Sequence, residues 1–201
     1  MPRLSRVLLA VVDATAVIAP SAAADQDKKL SATLGELWTT VLEAPAATNP
    51  FTGGDPCIDL GGRVVAPFAG GPEFTCTVEP GTKLFVVGFS TECSTVEPPP
   101  FHGTDEASLR QCARDADAAI GTPTVTLDGS PVALTETETG LLNLVLPAGN
   151  IFDLPAGTEG QSVAHGWVAL LHPLPPGSHV IRIELRGTQV NTTTIQVQPG
   201  G

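Results

Sequence analysis

The chain has 201 residues and a formal net charge of −11 at pH 7, from 21 acidic and 10 basic residues. Such an acidic surface repels phosphate backbones and anionic lipids, so composition argues against nucleic-acid binding and against electrostatic attachment to membranes. The two Trp, seven Phe and absent Tyr also leave little for the exposed aromatic platforms on which many secreted proteins stack sugar rings.

The first 24 residues have the pattern of a secretory signal peptide. A short basic start precedes an apolar stretch over residues 7–19 that only Asp13 interrupts, and small residues follow up to Ala24. The segment is too short and wrongly flanked for a transmembrane helix. We therefore predict cleavage before Asp25 and export of residues 25–201 as one domain without a transmembrane anchor. An uncleaved interfacial anchor is the alternative.

Two helices are predicted from apolar residues at helical spacing. The first covers residues 31–43 and ends before Pro45; its stripe is Leu30, Leu34, Leu37, Trp38, Val41 and Leu42. The second is inserted later in the chain over residues 106–120, with Thr104 or Asp105 as the N-cap. Its expected inner face consists of Leu109, Cys112, Ala113, Ala116 and Ile120.

Strand-like segments separated by turn residues make up most of the remaining chain. Asp128-Gly129 lies between two of them and predicts a tight hairpin, because both residues tolerate positive φ. Trp167 lies in the longest segment and is expected to be buried. Since few helices intervene, the sequence predicts a mainly β fold, an antiparallel β-sandwich of immunoglobulin-like or jelly-roll-like type. The segments are residues 63–68, 74–78, 83–89, 124–127, 132–135, 141–146, 163–172, 179–185 and 190–197.

Four cysteines follow the predicted signal peptide, in a part of the chain expected to reach an oxidising compartment. Three pairings are available, and the sequential one is favoured, with Cys57 bonded to Cys76 and Cys93 bonded to Cys112. The second bond would join the helix over residues 106–120 to the end of the preceding strand. The chain has no C-x-x-C motif, which argues against thioredoxin-like redox chemistry and against a four-cysteine zinc site.

One combination of residues suggests nucleophilic catalysis. Serine hydrolysis needs an activated hydroxyl, a histidine within reach and an oxyanion donor pair. The sequence has no G-x-S-x-G motif, and the nearest approach to a triad is Ser90 with His102 and Asp105. A strand-end hydroxyl that bonds the backbone is the alternative interpretation of Ser90, and we favour it.

Metal ligation is the other chemistry that the sequence suggests. His165, His172 and His179 recur every seven residues. An offset of seven places the first two on opposite faces of one strand, and prolines interrupt the chain before the third. Two of them meet only if a hairpin brings them together; otherwise they are exposed strand-end side chains. We expect no resident cofactor, since the chain has no calcium-loop motif. Calcium is the alternative, because acidic residues occupy several loops: Asp55, Asp59, Asp153 and Glu159.

Several segments taken together resemble a group of secreted proteins. Residues 76–83 match a C-T-V-x-P-G-x-K pattern and residues 174–181 match L-x-P-G-x-H-x-I. With Asn49-Pro50-Phe51 and His165-Gly166-Trp167 in the same order, they resemble an uncharacterised group of secreted bacterial proteins that is frequent among actinobacteria. The likeness extends over residues 38–198. It implies export and the fold, and it carries no activity with it.

These observations favour a secreted, non-catalytic protein that binds an extracellular ligand or a cell-surface component, or that has a structural role. The alternative is a secreted hydrolase with a non-standard Ser/His or metal site. A cleft in which two or more of the candidate side chains approach hydrogen-bond distance would favour the enzyme. Scattered and exposed histidines would favour the binding protein.

The signal-peptide interpretation makes a direct prediction. Expressed in a secreting host, the protein should be recovered from the medium with an intact mass that corresponds to a chain starting at Asp25, because the small residues before it suit cleavage there. Intact-mass spectrometry checks this. Recovery of the full-length chain in the membrane fraction would contradict it.

Overall fold

The computed structural model describes residues 22–200, and within them it contains two helices and eleven strands. Residues 1–21 of the predicted signal peptide lie outside the described residues. The helices are α1 (Ala22–Leu42) and α2 (Glu106–Ile120), and one turn of 3-10 helix covers Pro50–Thr52. The strands are β1 (Cys57–Asp59), β2 (Val64–Pro67), β3 (Glu73–Val78), β4 (Lys83–Ser94), β5 (Thr124–Leu127), β6 (Ser130–Pro131), β7 (Thr135–Glu138), β8 (Leu142–Val145), β9 (Glu159–Leu171), β10 (Gly177–Leu185) and β11 (Thr188–Val197).

The strands form two sheets that pack face to face. The first has the order β1-β2-β4-β9-β7, with β8 also paired to β9, and the second has the order β3-β11-β10-β5-β6. Each sheet contains one parallel pair, β2 with β4 and β3 with β11, and the other pairs are antiparallel. The predicted mainly β sandwich with two helices and two disulfides is confirmed, and its sheets are mixed rather than purely antiparallel.

The first sheet is covered on both faces. The apolar stripe of α1 packs on one face, where Leu34, Leu37 and Val41 are buried against Phe85 and Val168. The second sheet covers the other face through a separate cluster that includes Val86, Ile181 and Ile195. Beside the second sheet, α2 packs on that same face through Leu109 and Ala113, which contact Val163. The order of layers is therefore α1, first sheet, and then second sheet with α2.

Both disulfides have the favoured sequential pairing. Cys57–Cys76 connects β1 of the first sheet to β3 of the second, with Cα atoms 5.3 Å apart. Cys93–Cys112 connects β4 to α2, with Cα atoms 6.1 Å apart. One bond therefore joins the two sheets and the other fixes α2 to the central part of the sandwich.

Some element boundaries differ from the sequence prediction. Helix α1 already includes Ala22, the first described residue, although the sequence predicts a start at residue 31, since residues 23–29 are mostly exposed and lack the apolar periodicity by which a helix is recognised. Strand β4 continues to Ser94, five positions past the predicted end, because polar residues follow Phe89 although most of them are buried. The strand predicted over residues 132–135 is instead the crossing from β6 to β7, whose apolar residues Val132 and Leu134 pack between the sheets.

Trp167 tests the packing of the sandwich. Its side chain is buried as predicted, at 8% exposure, in β9, the longest strand. Truncation of a buried Trp removes its apolar contacts and leaves a cavity, so Trp167→Ala should lower the free energy of unfolding by about 3–5 kcal/mol. Denaturant unfolding measures this. Val145→Ala is the control, because Val145 is 56% exposed and surface changes stay within about 0.5 kcal/mol. Equal stability of the two variants would contradict the packing.

Candidate functional site

A bulge in β4 shapes the surface beside the first sheet. The register between β4 and β9 shifts between Val87 and Phe89, so that Gly88 is left without a partner. A Cβ atom on residue 88 would lie 2.8 Å from the Cδ1 atom of Leu134, so a larger residue at this position would displace the Leu134 side chain. On its other side β4 pairs with β2 only at Lys83 and Leu84. Beyond these residues the two strands separate and leave a groove.

The groove consists of two adjoining cavities of about 320 and 270 Å³. Both cavities contact Trp38, Phe51, Phe89 and Ser90, and we call them together the aromatic groove. Five of the seven phenylalanines and one of the two tryptophans of the chain line it. These aromatic residues come from α1, β3, β4, the 3-10 turn and two loops: Trp38, Phe51, Phe68, Phe74, Phe89 and Phe101.

Three of these rings form a packed wall. The ring centroids of Trp38 and Phe68 are 5.5 Å apart, and those of Phe51 and Phe68 are 5.3 Å apart, both in edge-to-face arrangements. This geometry places the positive edge of one ring on the negative face of the next. Phe51 nevertheless stays 39% exposed and Phe101 stays 42% exposed. The groove therefore presents large apolar side chains to solvent.

Ser90 lies on the floor of the aromatic groove with its hydroxyl fully engaged. Its Oγ donates to the backbone oxygen of His165 at 2.7 Å and accepts from Nε1 of Trp38 at 2.9 Å. The residue opposite Ser90 in β9 is Gly166, so the side chain of His165 points to the other face of the sheet. The hydroxyl is thus a structural link between α1 and the sheet.

The structure does not bring the predicted triad candidates together. Nδ1 of His102 lies 2.8 Å from the backbone oxygen of Glu97. Asp105 caps α2, where its carboxylate accepts from the backbone N–H of Ser108 at 2.8 Å. Among the described residues, no hydrogen bond joins the side chains of Ser90, His102 and Asp105.

A pair of carboxyl groups that no sequence pattern indicates lies at one end of the aromatic groove. Glu92 of β4 is 4% exposed and Glu97 is half-buried in the loop that follows. Ser162 donates to Glu92, and the Oγ of Ser94 donates to Glu97 at 3.0 Å. Burial raises the pKa of both carboxyl groups, and the neighbouring Glu97 raises the pKa of Glu92 further. The pair thus retains a proton at pH values where exposed carboxyl groups are ionised.

His165 lies between two carboxylates on the opposite face of the first sheet. Its Nδ1 is 2.7 Å from Oδ2 of Asp117 in α2, and its Nε2 is 3.4 Å from Oε1 of Glu136 in β7. The hydrogen bond to Asp117 raises the pKa of His165, against the opposing effect of burial. Asp117 is fully buried, although a charged side chain is unexpected on the inner face of a helix, so no sequence pattern indicates this contact.

The other two histidines of the seven-residue repeat lie elsewhere. His172 is exposed after the end of β9. His179 bonds through Nδ1 to Asp128 at 2.7 Å, and this bond raises the pKa of the histidine. Among the described residues, no group of three or more His, Cys, Asp or Glu side chains is arranged to hold a metal ion.

Comparisons with known proteins add no identification. No family model, curated protein or solved structure matches the chain. The resemblance to secreted bacterial proteins consequently stays a prediction. In residues 22–200, no helix has the length and apolar character needed to cross a membrane.

The buried carboxyl pair predicts an unusual dependence of stability on pH. A carboxyl group with a raised pKa keeps its proton in the folded state, so stability falls as pH rises from the unfolded pKa of about 4.3 through the folded value. The loss is about 1.4 kcal/mol per pH unit for each proton that only the folded state holds. Glu92→Gln should therefore weaken this decline and stabilise the protein at pH 8. Denaturant unfolding from pH 4.5 to 8 measures the difference.

The control for this prediction is Glu73→Gln, which changes an exposed carboxylate on β3 and should leave the decline unchanged. In the Glu92→Gln variant, the amide oxygen still accepts the hydrogen bond from Ser162. A Glu92→Gln protein that is destabilised equally at every pH would show that the carboxyl pair does not hold a proton in the folded state.

Proposed function

We propose that the protein is an exported, non-catalytic binding protein that takes a small apolar ligand into the aromatic groove. The observation that carries this proposal is the concentration of scarce aromatic residues in one place. Five of seven phenylalanines and one of two tryptophans converge there from distant parts of the chain. Trp38 is buried in the core, as Phe85 is, whereas Phe51 and Phe101 remain exposed.

The exposure of the groove rings supports a ligand rather than a purely structural role. Full burial of an aromatic side chain stabilises by about 1.5–3 kcal/mol relative to exposure. Phe51 and Phe101 are 39% and 42% exposed, so part of this stabilisation is not realised in the free protein. A ligand that covers both rings recovers it. The two cavities, of about 320 and 270 Å³, together fall within the usual range of small-molecule sites, about 300–1,000 Å³.

The polar end of the groove favours a ligand with an amino group. Glu92 and Glu97 together offer carboxyl oxygens as acceptors, and charge-assisted hydrogen bonds are the stronger ones. Trp38, Phe51 and Phe101 line the same cavity, and the face of an aromatic ring attracts cations electrostatically. The proposed ligand therefore has an apolar body and a cationic amine at one end, which also suits the acidic charge of the chain.

Export is the second part of the proposal. Two disulfides are typical of proteins from oxidising compartments, and the sequence pattern of residues 1–24 is that of a signal peptide. A secreted hydrolase has less support, because the hydroxyl of Ser90 already has two partners. The ring of His165, moreover, faces away from the groove.

A fluorescent apolar probe tests the groove. The neutral dye N-phenyl-1-naphthylamine should bind with increased emission, and decylamine should displace it at lower concentration than decanol or decanoate. Loss of an aromatic wall contact of about 1 kcal/mol weakens binding about fivefold, so Phe101→Ala and Phe51→Ala should each raise the dissociation constant by roughly that factor. Val145→Ala is the control, because Val145 is exposed on β8 and does not line either cavity.

Two outcomes would contradict parts of the proposal separately. If the dye does not bind, or if the Phe and Val variants bind it equally, the groove is not an apolar binding site. If the dye binds but decylamine, decanol and decanoate compete equally, and Glu97→Gln changes nothing, the groove binds apolar molecules without selecting an amine.

A further inference from the structure

The surroundings of His165 favour the doubly protonated imidazole ring. Oδ2 of Asp117 lies 2.7 Å from Nδ1 and Oε1 of Glu136 lies 3.4 Å from Nε2. An ionised carboxylate accepts hydrogen bonds and cannot donate them, and a neutral imidazole carries one N–H. Both contacts are therefore favourable only when both ring nitrogens carry a proton. The loss of either proton turns one contact into a repulsion between lone pairs.

The contact joins three elements, α2, β7 and β9. Asp117 is fully buried, and its Oδ1 has no hydrogen-bond partner among the described residues. A buried carboxylate with an unpaired oxygen is costly unless the remaining oxygen has a strong partner. The disulfide at Cys112 fixes the middle of α2, whereas the C-terminal half lies beyond that bond. At its end, Arg186 donates to the backbone oxygens of Ala119 and Ile120.

The other charged groups around His165 are paired with each other. Glu138 of β7 forms ion pairs with Arg110 and Arg114 of α2, and this carboxylate adds only a weak charge effect at the histidine. From β4, the residue opposite His165 is Thr91, which is uncharged. Within β9, the ring of Trp167 packs edge-on against the imidazole at 5.7 Å. Asp117 and Glu136 are thus the charged groups in direct contact with the ring.

We propose that Asp117, His165 and Glu136 form a pH-sensitive latch. While His165 is protonated, the latch holds the C-terminal half of α2 against β9 and β7. When His165 loses its proton, the contact with Glu136 is lost and the bond to the buried Asp117 is weakened. The C-terminal half of α2 then separates more readily from the sheet, while Cys112 keeps the helix attached.

The latch also acts on the proposed binding site. Asp115, Ala116 and Ile120 of α2 form one wall of a third cavity, of about 540 Å³, whose other wall includes Phe89 and Phe101 of the aromatic groove. Movement of this half of α2 changes the width of that cavity. The effect on ligand binding rests on the proposed function, whereas the latch itself does not.

The direction of the pH effect follows from the protonated state. The bond to Asp117 raises the pKa of His165 in the latched state above its ordinary value of about 6.5. The stabilisation of α2 is therefore complete below pH 6.5 and is lost as pH rises through the raised pKa. Over that interval the opening equilibrium increases by up to about tenfold per pH unit, since the latched state alone holds the proton.

Amide hydrogen exchange of the ligand-free protein tests the latch. Protection factors of amides 113–120, corrected for the intrinsic rate at each pH, should fall at least severalfold between pH 6 and pH 8.5. In His165→Gln they should be low at pH 6 already and independent of pH. The matched control is His179→Gln, which removes another carboxylate-paired histidine with a raised pKa, outside α2. This control should retain the wild-type profile.

Glu136→Gln provides a second variant. Because Glu136 is exposed, this substitution does not require the fold to tolerate a change in a buried side chain. NMR titration of its His165 ring should give a lower midpoint than in the wild type. An unchanged exchange profile in His165→Gln, or an equal change in His179→Gln, would overturn the latch. Failure of the dye to bind would contradict the proposed function and leave the exchange result unaffected.

Discussion

The antiparallel pairing of β4 with β9 is the interaction on which the other layers depend. It extends from Leu84 opposite Leu171 to Ser94 opposite Ser162. Adjacent side chains on these strands point to opposite faces of the sheet. One set of side chains therefore belongs to the core under α1, and the other set belongs to the cores under the second sheet and under α2. The disulfide at Cys93 and the hydrogen bonds of Ser90 also start from this pair.

The aromatic groove and the histidine latch are both consequences of how this pair is covered. The bulge at Gly88 and the early separation of β2 leave the side of β4 to rings from the helix and loops. On the opposite face, the second sheet leaves room for α2, and the helix introduces a carboxylate beside His165. One strand pair therefore borders an apolar groove along the open edge of β4 and carries a charged contact on the face that α2 covers.

The sequence predicts the regular parts of this molecule better than its sites. The apolar stripe from Leu30 to Leu42, the hairpin at Asp128-Gly129 and the bounds of α2 follow from local periodicity and turn chemistry. The groove does not follow from local sequence patterns, because its rings are separated by up to 63 residues, from Trp38 to Phe101. No single ring has a local sequence pattern that indicates a site. Burial of Glu92 and Asp117 is equally invisible, since charged side chains are normally assigned to the surface. Ser90, His102 and Asp105 are close together in the sequence, and this proximity suggests a catalytic triad. In the structure Ser90 belongs to a strand and Asp105 caps a helix, so these residues have separate structural roles.

The two disulfides close neighbouring segments that do not overlap. Each joins cysteines separated by 19 positions, and the first loop is complete before the second begins. A chain that enters an oxidising compartment from its N-terminal end presents Cys57 and Cys76 together while Cys93 and Cys112 are still to follow. Each native bond therefore joins the two cysteines that arrive consecutively, so emergence order and native pairing agree. A nested or interleaved arrangement would instead have required early cysteines to stay reduced until later ones arrived, with a greater need for thiol–disulfide exchange to correct wrong pairs.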